Sequence, residues 1–285
     1  MMRILNIGSV NIDYVYSVPH FVQAGETLES GGRQIFPGGK GLNQSIALAR
    51  AGSDVSHAAM LGGDGGMLLE IMQESGVDIS LCEKVAAPSG HAIIQVNAQG
   101  ENCILLYPGA NFEIDKAFID KAVSGFGKDD ILVLQNETSC VAYAMQAAKE
   151  RGMKIAFNPS PFDAGIEKYP LDLVDYWLLN EVEGGALGGI DRFPNAVVVL
   201  TLGADGVQCR ANGKTLSHKS YEVEVADTTA AGDTFTGYFI SSVSKGESLE
   251  KALQTASRAA SISVSRQGAA VSIPTYTEVL KYGSK

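Results

Sequence analysis

Four cysteines, four histidines and one tryptophan are spread through 285 residues, and each scarcity removes a class of function. Cys82, Cys103, Cys140 and Cys209 show no CxxC spacing. Neither a disulfide framework nor a thiolate metal site is indicated, and reduced thiols are expected. His20, His57, His91 and His218 lie far apart, with none in a metal-spaced pair. Positive charge is also short: 22 Lys and Arg face 32 Asp and Glu, a net charge of −10. Such a surface repels phosphate backbones and anionic lipid, which argues against nucleic-acid and membrane partners. No apolar run approaches the roughly 18 residues a bilayer span needs. The opening MMRILNIGSVNID turns polar too soon for a secretory signal, so a cytoplasmic location is expected. GxSxG, GxxxxGK[ST] and GxGxxG are missing as well, which removes ordinary hydrolases, P-loop enzymes and simple dinucleotide binders.

What the chain has in abundance is glycine, 32 residues clustered between apolar segments. Residues 4–7, 55–60, 131–134, 155–157, 176–179 and 197–201 read as buried strands. Between them, 43–51, 68–75, 141–151 and 248–264 carry helical periodicity. Continuous apolar strands alternating with helices indicate an α/β fold, a parallel sheet covered on both faces. Residues 91–107 instead alternate with period two around a polar turn at 97–100, and 13–36 are similarly strand-like. Alternation implies a sheet with one face buried, so these segments form either a small antiparallel flap or an edge hairpin. No repeat, linker or low-complexity tract divides the chain.

Five polar clusters carry the chemistry. In DTTAAGDTF (227–235), small residues lead into a helix whose apolar face is Phe235, Tyr238, Phe239 and Val243. The backbone N–H groups of Ala230, Ala231 and Gly232 suit a phosphoryl group, and Asp233 beside them suits a proton acceptor. The plainer alternative makes Asp233 and Thr234 a helix cap. In PGGKGLNQ (37–44), Gly38 and Gly39 permit close backbone approach, with Lys40 and Asn43 a turn apart. Asn11 and Asp13 share a face if extended; a carboxylate with amides suits sugar hydroxyls, although a turn would serve equally. Asn180 and Glu183 stand at i and i+3 after a strand, either a water-mediated Mg²⁺ site near nucleotide phosphates or a capping box. Thr201-Leu202-Gly203-Ala204-Asp205-Gly206 is a nucleotide cradle or a connecting turn.

Taken in order, these clusters resemble the ribokinase (PfkB-type) family of carbohydrate kinases over nearly the whole chain. The resemblance rests on NID at 11–13, GGKGLNQ at 38–44, NEVE at 180–183, TLG at 201–203 and DTTAAGDTF. GGKGxNQ and PGAN at 108–111 lean toward the ribokinase branch. It implies one three-layer domain over 1–285, with a small antiparallel β lid near 13–36 and 91–107 that serves as a homodimer interface.

By the same resemblance, ATP is the phosphoryl donor, and a primary hydroxyl of a pentose-like sugar is the acceptor. Asp233 is then the base and the N–H groups of 230–233 the anion hole. Asn11, Asp13, Gly38, Gly39, Lys40, Asn43 and Glu137 match sugar-contacting positions. Asn180, Glu183, Thr201, Gly203, Gly206, Gly232 and Ser257 match the nucleotide side, with Mg²⁺ near Glu183 through water. An activating K⁺ would lie by Asp227, Thr229, Ser263, Arg266, Gly268 and Ser272. The short stretch 188–194 after NEVE departs from the branch on the nucleotide side. Few aromatic residues in the lid weaken nucleoside stacking. A nucleoside kinase and a catalytically silent sugar-binding regulator are the competing functions.

Overall fold

The computed structural model describes residues 2–282. The chain opens with β1 (Ile4–Ile7), β2 (Asn11–Ser17), β3 (Gly32–Gly38) and α1 (Lys40–Arg50). Then come β4 (Val55–Leu61), α2 (Gly66–Glu74), β5 (Asp78–Lys84), β6 (Gly90–Val96) and β7 (Asn102–Tyr107). The alternation continues through α3 (Lys116–Ser124), β8 (Ile131–Gln135), α4 (Val141–Glu150), β9 (Lys154–Asn158) and β10 (Tyr176–Asn180). After α5 (Glu181–Ala186) come β11 (Val197–Thr201), β12 (Val207–Ala211) and β13 (Lys214–His218). The helices α6 (Ala231–Ser244), α7 (Leu249–Val264) and α8 (Tyr276–Lys281) complete the chain.

The large sheet has the order β13-β12-β11-β10-β9-β8-β1-β4-β5. It is parallel from β11 to β5, with the antiparallel hairpin β12–β13 on one edge. Every residue of β1 and β8 is buried, and all but Asn6 and Gln135 are apolar. On one face Ile4, Val133 and Val199 pack against Leu42, Ile46, Phe239 and Leu253 of α1, α6 and α7. On the other, Leu5, Leu134 and Trp177 meet Phe118, Ala144 and Met145 of α3 and α4. Helix, sheet and helix make three layers. Each fully buried Leu, Phe or Ile contributes on the order of 1.5–3 kcal/mol through removal from water.

Helices α1 and α6 run side by side in step. Asn43 meets Asp233, Ala47 meets Gly237, and the Ala51 carbonyl meets Ser241, each pair four residues beyond the last. Four residues are about one helical turn, so both helices start at the same end. Gly237 permits this: a Cβ there would collide with Ala47 and lie 2.9 Å from the Leu48 nitrogen.

The small sheet, β3-β2-β6-β7, stands apart. Its outer pairs, β2–β3 and β6–β7, are antiparallel as expected, but they join through a parallel β2–β6 pairing. Residues 18–31 contain no strand, so the strand-like reading of 13–36 holds only at its two ends. Three residues after β1, the chain swings into β2. Asn111 pins that corner: its Oδ1 accepts from the Val10 N–H at 3.0 Å, and its Nδ2 donates to Asn11 Oδ1 at 2.8 Å.

Candidate active site

The site lies where β1 gives way to β2 and where α1 and α6 begin. Asp233, 7 % exposed, occupies the first turn of α6. Its Oδ2 accepts from Asn43 Nδ2 at 3.0 Å and its Oδ1 from Gln44 Nε2 at 2.9 Å. Asn43 Oδ1 is buried and has no hydrogen-bond partner among the described residues. The capping alternative for Asp233 is not what forms, since the cap of α6 is Ala230, in the left-handed region at φ 59° and with no side-chain bond.

The start of α6 presents fewer free donors than its four expected N–H groups. The Ala231 N–H turns back to the Thr228 carbonyl at 3.2 Å, whereas those of Gly232 and Asp233 have no partner among the described residues. A Cβ on Gly232 would meet nothing within 4 Å. These two amides and the helix dipole face open space, the arrangement that receives an anion.

Glycines 38, 39 and 41 serve packing more than ligand approach. A Cβ on Gly38 would collide with the Asp13 carboxylate, and one on Gly41 would lie 2.5 Å from the Gly8 carbon and the Ser9 nitrogen. Gly39, at φ 94°, lies against the Asn11 nitrogen and the Ser9 carbonyl. Glu137 straps this corner, accepting from the Ser9 hydroxyl and, at 3.0 Å, from the Lys40 N–H.

One lysine stands among four carboxylates here. Burial pushes the Lys40 ammonium toward neutrality, yet Asp233, Glu137 and Glu183 around it prevail and raise its pKa. Burial raises Glu137 and Glu183 above the usual carboxylate range. Asp13 is pushed up to about 7 by burial and by the charge of Glu137. A neutral ligand rich in hydroxyls suits these acceptors; a second phosphate on the ligand would meet mostly negative charge.

Of the two readings of 180–183, the capping box is what forms. Asn180 and Glu183 form a capping box, with Glu183 N–H donating to Asn180 Oδ1 at 2.9 Å and Asn180 N–H to Glu183 Oε2 at 3.0 Å. The same two residues line a cavity of about 530 Å³ together with Lys40, Thr228, Ala230, Ala231, Gly232 and Asp233. A second cavity of about 580 Å³ adjoins it through Thr201, Gly203, Thr228, Ala231, Gly232 and Phe235. It adds Gly206, Ser257 and an apolar wall of Val223, Val225, Ala260 and Val264. The turn alternative at 201–206 is also real: Gly206, at φ 102°, sits where a Cβ would strike the His218 carbonyl. A polar chamber ending at Asp233 thus continues into an apolar one, the shape of a phosphate chain followed by a flat base.

Of the six expected K⁺ positions, Asp227 and Thr229 lie on the loop before α6, Ser263 in the last turn of α7, and Arg266, Gly268 and Ser272 in the segment that follows it. Asp227 Oδ1 accepts from the Thr229 N–H and hydroxyl at 2.8 and 2.6 Å, and Oδ2 from the Gly268 N–H at 3.0 Å. These bonds more than offset the burial that would raise it, so the Asp227 pKa is lowered. Ser263 and Ser272 share a buried bond of 2.8 Å, and the Arg266 guanidinium turns away to Glu278 at 2.6 Å.

The match to known proteins extends over the whole architecture. Residues 1–276 match the profile of the pfkB family carbohydrate kinases. The chain belongs to that family. A ribokinase of Haemophilus influenzae is 36 % identical over 97 % of this chain and 96 % of its own length. The ribokinase of Cryptococcus neoformans in complex with ADP superposes with a TM-score of 0.87, at 33 % identity and 99 % of each chain. Arabidopsis thaliana ribokinase, complexed with ribose and ATP, gives 0.86 at 27 % identity, covering 99 % of this chain and 98 % of its own. Asn111, Gln44 and Gln135 hydrogen-bond to the residues gathered here, contacts that were not expected from the sequence. Their signal was there: Asn6 and Gln135 interrupt otherwise apolar strands, and Gln44 directly follows Asn43.

Proposed function

We propose that this pfkB-family carbohydrate kinase transfers the γ-phosphoryl group of ATP to the primary hydroxyl of a free pentose such as ribose. The observation that carries the reading is Asp233: one carboxylate held by Asn43 and Gln44, next to the unpartnered N–H groups of Gly232 and its own residue. Asp233 accepts the hydroxyl proton as the alcohol attacks. The two amides, with Lys40, receive the charge gathering on the transferred group. Asn11, Asp13, Asn43 and Glu137 would hold the sugar under the small sheet, acting as its lid, with Gly38 and Gly39 letting Asp13 and Asn11 pack into place. Thr201, Gly203, Gly206 and Ser257 would hold the nucleotide.

Among the described residues no cluster of three or more His, Cys, Asp or Glu side chains forms a metal site. That fits Mg²⁺ held through water by Glu183 and the nucleotide phosphates, where it would neutralise phosphate charge. K⁺ fits the loops 227–229 and 266–268, whose Asp227 stays ionised, with Thr229, Ser263, Arg266, Gly268 and Ser272 supplying neutral oxygens; it would reinforce the positive field at α6. Ile104, Leu105, Leu106 and Tyr107 of the edge strand β7 are exposed, and they support a homodimer through the lid. No helix among the described residues is long and apolar enough to cross a membrane.

The test is ADP release with pentoses, hexoses and nucleosides, with and without K⁺. Turnover on D-ribose or a close pentose supports the reading. Turnover only on nucleosides would move the protein to the nucleoside kinases of the family. Silence across the panel would make it a sugar-binding regulator.

A further inference from the structure

Asp233 is held from behind by a chain of buried amides whose hydrogen-bond directions leave no freedom. Asn6 Nδ2 donates to the Gly41 carbonyl at 2.8 Å, and a carbonyl can only accept. That fixes the Asn6 amide, so its Oδ1 must face a donor, which is Gln135 Nε2 at 3.1 Å. Gln135 Nε2 spends its second hydrogen on Gln44 Oε1 at 2.7 Å. The Gln44 amide is thereby turned with its N–H₂ toward Asp233. A second anchor agrees: Asn158 Nδ2 donates to the Leu178 carbonyl at 2.9 Å, leaving Asn158 Oδ1 to accept from Gln44 Nε2 at 3.2 Å. Two backbone carbonyls at opposite ends therefore dictate the same orientation of Gln44, by way of Asn6 and Gln135 on one side and Asn158 on the other. Asn6, Gln44 and Gln135 are at most 1 % exposed, so water cannot stand in for a lost partner.

We propose that Gln44 is a positioning residue for Asp233, locked in its donating orientation by the Gln135–Asn6 amide ladder. Asn43 holds Oδ2 and Gln44 holds Oδ1, so the carboxylate cannot rotate about its Cβ–Cγ bond, and its free lone pairs remain aimed into the cavity. The ladder runs through two strands and a helix of the core, which makes the aim a property of the fold and not of the bound sugar. This inference rests on the reading of Asp233 as the base.

The test is a double-mutant cycle between Gln44→Glu and Asp233→Asn, assayed with D-ribose and ATP. Gln44→Glu keeps the acceptor that Gln135 needs but removes the donor shared by Asp233 and Asn158 and sets a second carboxylate beside Asp233. Its kcat is expected to fall about tenfold to a hundredfold, the usual worth of a hydrogen bond to a charged group, with KM for ribose within about twofold. In the Asp233→Asn background the same change should lower kcat no further, since nothing remains to be aimed. The double variant also restores a donor–acceptor pair of reversed polarity, so its melting temperature should exceed that of Gln44→Glu alone. Gln135→Met, one step removed from the carboxylate, should lower kcat in the same direction, again without moving KM. Additive losses, a raised KM with kcat intact, or no thermal rescue in the double variant would each overturn the proposal. Asp233→Asn retaining near-normal turnover would instead overturn the base assignment itself.

Discussion

Helices α1 and α6 begin alike and serve differently. Both follow a residue in the left-handed region, Gly39 or Ala230, and neither has a side-chain cap. At α1 every one of the first four N–H groups is used: Lys40 on Glu137, Gly41 on the Ser9 hydroxyl, Leu42 on the Ser9 carbonyl and Asn43 on the Gly39 carbonyl. At α6 two of four remain unpartnered, and Gly232 borders open space. A glycine before a helix is therefore not yet a ligand site; what counts is whether the backbone donors are already satisfied. On the proposed reading the α1 end would offer side chains to the ligand, and the α6 end would offer free backbone donors beside the Asp233 carboxylate.

The sharpest break of this contrast removes the side chain at the α6 end. Asp233→Asn should cut kcat by about 10² to 10⁴, the usual range for general-base catalysis, with little change in KM for either substrate. Initial-rate measurements of ADP release check it, and a variant within threefold of the parent would end the assignment. Next come the two glycines. Gly41→Ala pushes a methyl group into the backbone of Gly8 and Ser9, so overpacking should destabilise the protein by about 1–3 kcal/mol, read as a lower denaturation midpoint. Gly232→Ala adds the same group to open space inside a helix, where alanine is favoured by roughly 1 kcal/mol. Its midpoint should hold or rise while kcat/KM for ATP falls about tenfold, the methyl standing where the phosphoryl group must approach the amides. If both variants lost stability equally, the two helix starts would not differ as described.

Much of this frame was legible in the sequence, because buried parallel strands leave a plain mark. Residues 4–7 and 197–201 read as strands with the bounds they have, since every neighbouring layer demands apolar side chains there. The hairpin β12–β13 was not legible: VQCRA and KTLSH lie at a sheet edge, where half the side chains face water. The parallel meeting of β2 with β6 joins Asn11 to Gly90 across the chain, and no local pattern encodes such a pairing. The motif residues of the site were legible, but their division of labour was not. Nothing in DTTAAGDTF says that the Ala231 N–H is consumed by Thr228, and GGK does not reveal that its glycines are filled by Asp13, Asn11 and Ser9. Those facts depend on what a distant part of the chain brings alongside.

The mildest prediction concerns the α1 end, where the ligand chemistry sits in side chains. Asp13 is pushed up from the ordinary carboxylate range to about 7 by burial and by the charge of Glu137. Its folded-state affinity for a proton exceeds that of the unfolded chain, so its stabilising contribution is complete below about pH 4 and disappears as pH climbs through 7. Asp13→Asn removes that slope. The variant should melt about 2–4 °C above the parent at pH 8, corresponding to about 1 kcal/mol in a chain of this size, with the gap closing toward pH 5. Sugar binding should move in the opposite sense, because an ionised carboxylate accepts hydroxyl donors better than a neutral one. In the parent, kcat/KM for the sugar should therefore rise by up to about tenfold from pH 6 to pH 8, and the Asp13→Asn variant should show no such rise from this group. Thermal scans of the two proteins without ligand, run beside the rate profile, separate the effects. A melting gap equal at pH 5 and pH 8 would show that the α1 end does not hold a carboxylate in waiting, and that its ligand chemistry lies elsewhere than in this side chain.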